Sequence, residues 1–251
     1  MSIRTATLNG VATIEIARPE KKNALTGAMY RQMAAALEAA TADAAVRAVL
    51  ITGQPGIFTS GNDLEDFMQR PAGEPPAFAF MRALLACDKP VVAAVTGAAI
   101  GIGTTMLLHC DFVYVSDEAR LAMPFVGLGL VPEFASSLIV PQLMGNVRAA
   151  EKLLLGDPFT GADAVECGIA NAVLPAGEVA GHARRVAERF NALPPGAVRD
   201  SKMLMRRARE KLVAETVAVE GDLFAKRLRS PEAQEAFSAF FQKRRPDFSK
   251  F

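Results

Sequence analysis

Cysteine is scarce in this chain and odd in number: Cys87, Cys110 and Cys167 are the three. They are widely spaced and set in apolar stretches, which argues against a disulfide framework or a thiolate metal site and for reduced core residues. No apolar run reaches the roughly 18 residues of a membrane span. The first residues, MSIRTATLNG, have neither an apolar signal core nor an Arg- and Ser-rich amphipathic pattern. The final Phe248-Ser-Lys-Phe251 is not a peroxisomal Ser-Lys-Leu end. A cytoplasmic protein that avoids membranes is therefore expected. An excess of one charge is lacking too. With 28 Lys+Arg against 27 Asp+Glu the net charge is +1, so no global field favours nucleic acid. Histidine occurs twice, and neither His109 nor His182 has a convincing Ser or Cys partner, which argues against a Ser-His hydrolase. His109 reads as a core histidine and His182 as an exposed one.

What the chain does have is enough apolar sequence for a full core. Its 251 residues are 51% hydrophobic and 22% charged, which fits one large globular domain or a domain with an appendage. Thr5–Leu8 and Val11–Ala17 read as strands joined at Asn9-Gly10, a hairpin signal. Thr26 can cap a helix from Gly27 to Ala40. Val46–Thr52, Val91–Val95, Phe112–Ser116 and Ile169–Val173 are the next strands. The spacing predicts helices over Leu64–Gln69, Phe78–Cys87, Thr104–Cys110, Phe134–Met144, Val147–Leu155, Thr160–Cys167 and Gly177–Asn191. Pro71–Pro76 is predicted to be a mobile surface loop. Past Pro194-Pro195 everything reads helical: Ala197–Arg209, a long segment to Leu228, and a last helix capped by Ser230. Strands alternating with helices argue for an α/β fold. The division expected is a core over residues 1–193 and a helical region over 194–251.

Three stretches could carry chemistry. Gly97, Gly101 and Gly103 follow the strand Val91–Val95 and precede a helix. Such a turn aims backbone amides and a positive helix end at one spot, where an oxyanion could sit. Packing alone explains such a turn equally well. Two phosphate-binding motifs are absent, because the third glycine of a dinucleotide fingerprint and the Gly-Lys-Ser/Thr of a P-loop are both missing. The second stretch is Phe58-Thr-Ser-Gly-Asn-Asp-Leu64, whose Ser60, Gly61 and Asn62 would offer amides at a strand's C-terminal end. The third is Glu133 among Val131, Pro132 and Phe134. Desolvation raises a carboxyl pKa and makes a better base near neutrality. The competing reading is a carboxylate that serves a helix start.

Taken together, Phe58-Thr-Ser-Gly-Asn-Asp-Leu64, Thr96-Gly-Ala-Ala-Ile-Gly-Ile-Gly103 and Leu128-Gly-Leu-Val-Pro-Glu133 resemble the enoyl-CoA hydratase/isomerase (crotonase) superfamily. Arg18-Pro-Glu-Lys-Lys-Asn-Ala-Leu25 is similar to its N-terminal signature, and Arg229-Ser-Pro-Glu-Ala-Gln-Glu-Ala-Phe237 to its C-terminal end. The resemblance spans nearly the whole chain. It implies an α/β crotonase fold of repeated ββα units in two nearly perpendicular sheets, with C-terminal helices that pack in a homotrimer or dimer of trimers. It also implies an acyl-CoA thioester substrate, with coenzyme A as part of that substrate and no cofactor or metal. The amides matching the family's oxyanion site are those of Asn62 and Ile102. The substrate-binding residues it implies are Ala24, Ser60, Gly61, Asp63, Leu64, Gly101 and Phe125. Lys21, Lys22 and Lys226 are candidates for the CoA phosphates, with solvated surface as the alternative.

The departures from the family concern the reaction. Its hydratases use two glutamates, and the matching positions here are Thr105 and Phe125. Neither can exchange a proton at neutral pH. Glu133 falls where the Δ3,Δ2-enoyl-CoA isomerases carry a single catalytic glutamate, so the resemblance implies an isomerase of that branch. The alternatives are hydration or another crotonase reaction on an unusual acyl-CoA, and a non-catalytic CoA- or RNA-binding relative.

Overall fold

The computed structural model describes residues 2–68 and 74–251. Gln69, the expected end of one helix, and the first three residues of the expected loop 71–76 lie outside them.

The chain opens with the predicted hairpin, β1 (Ile3–Leu8) and β2 (Val11–Ile16), paired antiparallel across Asn9-Gly10. Helix α1 (Gly27–Ala42) follows, with Thr26 accepting from the Met29 amide as its cap. Then come β3 (Ala48–Thr52), β4 (Ile57–Thr59), α2 (Leu64–Met68) and α3 (Pro76–Ala86). The pattern recurs as β5 (Val91–Val95), β6 (Ala98–Ile100) and α4 (Ile102–Thr105). It recurs again as β7 (Phe112–Ser116), β8 (Arg120–Ala122), α5 (Ser136–Met144) and α6 (Asn146–Ala150). Next are β9 (Phe159–Thr160), α7 (Gly161–Glu166), β10 (Ala172–Leu174) and α8 (Ala176–Glu188). The C-terminal region is α9 (Pro195–Arg227) and α10 (Pro231–Phe241).

In the pairs β3–β4, β5–β6 and β7–β8 the first strand joins one sheet and the second joins another, whereas both strands of the β1–β2 hairpin belong to the first. The larger sheet runs β1-β2-β3-β5-β7-β10, parallel from β2 onward, and the smaller runs β4-β6-β8-β9. This is the crotonase arrangement of repeated ββα units. The larger sheet is apolar on both sides, with alternate residues serving each. Val49, Ile51, Val91, Ala93 and Val95 face the main core. Ala48, Leu50, Val92 and Ala94 face α8, whose Val179, Ala183, Val186 and Ala187 form a single helical stripe. That double burial explains why β3 and β5 read as unbroken apolar runs.

Several boundaries differ from expectation. The long turn read over Gly53–Asp63 contains the short strand β4, and the glycine-rich turn after Val95 contains β6; both are too brief for a period to show. The helix expected over Thr104–Cys110 starts two residues earlier and tightens into a 3-10 turn at Met106–His109. The helix expected from Phe134 starts at Ser136, because Phe134 and Ala135 both have positive φ. The C-terminal segments expected as two are one 33-residue helix, α9. Its N-terminal half is anchored to Asp111: Lys202 Nζ lies 2.7 Å and Arg206 Nη2 3.2 Å from the carboxylate, and Arg206 also donates to the His109 carbonyl at 2.8 Å. Among the described residues no helix is long and apolar enough to cross a membrane.

Candidate active site

Parallel pairing of β4 with β6 brings their C-terminal ends, and the loops that follow, side by side. Loop residues 60–63 are stitched to residues 22–25. Leu25 N donates to Gly61 O at 2.8 Å, Asp63 N to Leu25 O at 2.9 Å and Ser60 N to Lys22 O at 3.1 Å. The ladder with Leu25 uses the amides of Leu25 and Asp63, so the intervening Asn62 N–H points away from it. The Asn62 side chain is fixed separately, its Oδ1 accepting from Tyr30 Oη at 2.5 Å.

Asn23 is the buried hub of this region. Its backbone is left-handed (φ 54°), a conformation asparagine tolerates. Its amide nitrogen donates to the carbonyls of Ile16, Ile57 and Phe58 at 3.0–3.1 Å, and its oxygen accepts from Arg18 N at 2.7 Å. Arg18 Nη1 donates to Asp63 Oδ2 at 2.7 Å and to Ala24 O at 2.9 Å. Burial by itself raises the Asp63 carboxyl, but the Arg18 guanidinium and the Asp66 and Glu65 amides together hold it below the usual range. Asp63 is therefore a charged strut for the loop.

The second loop turns at Gly101, whose φ of 58° and ψ of −119° suit glycine alone. Ile102 is the first residue of α4, so its N–H has no carbonyl within the helix to bond. The two loops touch: a Cβ placed on Gly61, at φ +91°, would come within 2.9 Å of the Ile100 carbonyl oxygen.

A cleft of about 750 Å³ opens over this junction. Of the residues predicted for the site, Ala24, Ser60, Gly61, Asn62, Asp63, Leu64, Gly101 and Phe125 line it. Ile102 follows Gly101 in the chain but is 1% exposed and is not among the residues that line the cleft. Lys21 and Lys22 also line the cleft, as do Phe224 of α9 and Phe240 and Phe241 of α10; Lys226 is not part of the lining. Glu133 occupies a separate chamber of about 40 Å³ that shares Asn62 and Phe224 with the cleft. Its other walls include Phe78, Met81, Phe134, Val217 and Gly221, so among the described residues Glu133, 8% exposed, is the one carboxylate of an enclosure that is apolar apart from Asn62. Phe125 packs edge-on to Phe224 with centroids 6.5 Å apart. Thr105 is buried, and its hydroxyl has no hydrogen-bond partner among the described residues.

The backbone after Glu133 is strained. Phe134 (φ 59°) and Ala135 (φ 56°) are consecutive left-handed residues, each costing about 1–3 kcal/mol unless the surroundings hold it. His109 supplies part of that hold. Its ring stacks on Phe134 with centroids 4.0 Å apart, and Nε2 lies 2.7 Å from the Phe134 carbonyl. A carbonyl only accepts, so Nε2 carries the proton. Burial pushes the imidazole down to about 4 against the opposing pull of the Phe134 carbonyl, and the Arg206 and Arg209 charges add to the lowering.

This gives a pH prediction. Unfolded, the imidazole titrates near its ordinary 6.5; folded, it stays neutral to about 4. The unfolded chain therefore binds the proton first, and the stability contributed by neutral His109 is complete above pH 6.5 and drains away as pH falls toward 4. Urea unfolding at pH 6.5 and pH 5 should show wild type losing about 2 kcal/mol more than His109→Gln. Equal losses in the two proteins would refute this assignment.

Comparisons with known proteins identify the family. The profile of the enoyl-CoA hydratase/isomerase family matches residues 6–250, and the chain belongs to that family. It is 37% identical to human enoyl-CoA delta isomerase 2 over 216 residues, 82% of this chain but 55% of that protein, so the chain spans about half of this relative's length. It is 30% identical to 2,3-dehydroadipyl-CoA hydratase of Escherichia coli strain K12, covering 95% of this chain and 94% of that one. The structure of Pseudomonas aeruginosa OdaA superposes with a TM-score of 0.93 at 53% identity, over 95% of this chain and 98% of that one. The chain is thus a crotonase-superfamily enzyme of the hydratase/isomerase type, with relatives of both kinds.

Sequence reasoning missed Asn23 and Tyr30, although Asn23 lies inside the N-terminal signature it used. Glu220, which touches the turn after Glu133, was also missed; it carries no local motif.

Proposed function

We propose that the protein is a Δ3,Δ2-enoyl-CoA isomerase in which Glu133 is the single acid/base. The observation that carries this reading is the placement of Glu133 as the one carboxylate, among the described residues, of a mainly apolar chamber that shares Asn62 with the cleft. The thioester carbonyl of a 3-enoyl-CoA sits between the amides of Asn62 and Ile102. Glu133 removes a proton from C2; the C2–H electrons form a double bond between C1 and C2 as the carbonyl π electrons move onto the thioester oxygen, giving a dienolate conjugated with the intact C3–C4 double bond. That dienolate is held by the two amides and the positive end of α4. Glu133 then returns the proton to C4, leaving the double bond between C2 and C3. No water or redox partner is consumed, and coenzyme A enters only as part of the substrate. Thr105 and Phe125, at the positions of the hydratase acids, supply no second acid/base.

Ala24, Ser60, Gly61, Asp63, Leu64, Gly101 and Phe125 are assigned to substrate binding. Residues 1–193 form the catalytic core in this reading. Residues 194–251 complete the site through Phe224, Phe240 and Phe241 and also mediate assembly as a homotrimer or dimer of trimers. The exposed Met203, Leu204, Met205 and Leu212 on α9 support that assembly.

The test is turnover of 3-hexenoyl-CoA beside hydration of crotonyl-CoA. Isomerisation at least about tenfold faster in kcat/KM, equivalent to about 1.4 kcal/mol, is expected. Faster hydration would overturn the assignment.

A further inference from the structure

The left-handed pair Phe134–Ala135 aims Glu133, and its tightest hold comes from 85 residues away. Glu220 of α9, 5% exposed, accepts from Ala135 N at 2.6 Å through Oε2. Through Oε1 it accepts from Ser137 N at 2.9 Å and from the Ser137 hydroxyl at 2.5 Å. It thereby caps α5, whose own cap residue, Ala135, has no side-chain acceptor. Ser136 completes the turn, its N and Oγ donating to the Glu133 carbonyl at 3.1 and 2.7 Å. The neighbours of Glu220 on the same helix, Val217, Gly221 and Phe224, are walls of the Glu133 chamber. One rigid segment therefore forms the chamber wall and fixes the turn that carries the base.

We propose that Glu220 is a positioning residue for the reaction, setting the direction of Glu133 by clamping the Phe134–Ala135 turn. The proposal rests on the assignment of Glu133 as the base. Deleting the carboxylate leaves the Ala135 and Ser137 amides without their acceptor and lets the strained pair relax. Glu133 would remain in its chamber but out of line with C2. Misplacement of a reacting group by about 1 Å costs on the order of 10²-fold in rate. Ground-state binding of the acyl-CoA, which depends on the cleft, would change little.

The experiment compares wild type, Glu220→Ala, Glu220→Gln, Glu133→Gln and the Glu133→Gln/Glu220→Ala double variant. It measures 3-hexenoyl-CoA turnover, hexanoyl-CoA affinity and thermal stability. The expected result is a kcat loss on the order of 10²-fold in Glu220→Ala, with hexanoyl-CoA affinity little changed. The double variant should be no slower than Glu133→Gln alone. Glu220→Gln keeps one acceptor oxygen and should fall between wild type and Glu220→Ala. If Glu220→Ala does not fold, Glu220→Gln decides: a lowered kcat at constant affinity supports the clamp. Wild-type kcat in a folded Glu220 variant, a kcat loss matched by lost affinity, or a further loss in the double variant overturns it. Full activity in Glu133→Gln would overturn the base and the clamp together. An inactive Glu133→Gln beside a fully active Glu220→Ala would overturn the clamp alone.

Discussion

Replacing Glu133 with glutamine is expected to lower isomerase turnover by about 10²–10⁴-fold, the usual worth of a positioned general base. Glutamine matches glutamate in shape, so the chamber keeps its volume and its apolar walls. What disappears is the capacity to hold the transferred proton between C2 and C4. The loss should fall on kcat, because Glu133 lies in the small chamber, while in the proposed reading the thioester and coenzyme A are gripped by the cleft. Steady-state kinetics on 3-hexenoyl-CoA, with calorimetry on hexanoyl-CoA as the binding control, would measure both quantities. A variant that retained most of its kcat would show that the proton is moved by another group.

The second large effect is expected from a single methyl group at residue 61. In Gly61→Ala the new Cβ would lie 2.9 Å from the Ile100 carbonyl oxygen, in a backbone (φ +91°) that disfavours side chains. The pressure falls on the seam between the two loops. Relief by separation would move the Asn62 amide away from the Ile102 amide and leave one donor short of the oxyanion. Loss of one such donor costs about 2.7–4 kcal/mol, or 10²–10³-fold in kcat. Gly56→Ala is the control. Its φ is +80°, and nothing stands within 4 Å of its added Cβ. It should lose stability through the same kind of backbone strain yet keep kcat. Equal kcat losses in the two variants would refute a local effect at the loop junction.

Much of this architecture was legible in the sequence because burial imposes a period. β3 and β5 are apolar on both faces and read as continuous runs; α1 and α8 carry apolar residues at helical spacing. The site loops were legible as glycine and polar motifs in the family's order. Three things were not. The three-residue strands β4 and β6 are too short for alternation to register, so the division into two sheets came from the family resemblance alone. The left-handed turn at Phe134–Ala135 defies local propensity, since neither residue favours that conformation, and Glu133 therefore looked like part of a helix start. Glu220 sits in a helix rich in exposed charge, where one more carboxylate carries no signal until the fold brings it to Ala135. Asn23 is an intermediate case: its motif was visible, but its four hydrogen bonds link segments far apart in sequence.

The unbroken length of α9 has an evolutionary consequence. At 33 residues it extends for about 50 Å. Near one end Lys202 and Arg206 are locked to Asp111, and near the other Glu220 and Phe224 meet the chamber. A mutation that shifts this helix along its axis at either end is transmitted to the other. Change in the chamber wall and change in the surface that α9 exposes are therefore expected to be coupled. Lineages that acquired a new acyl specificity by adjusting this wall should carry compensating changes some 20 residues earlier in the same helix, around Lys202 and Arg206.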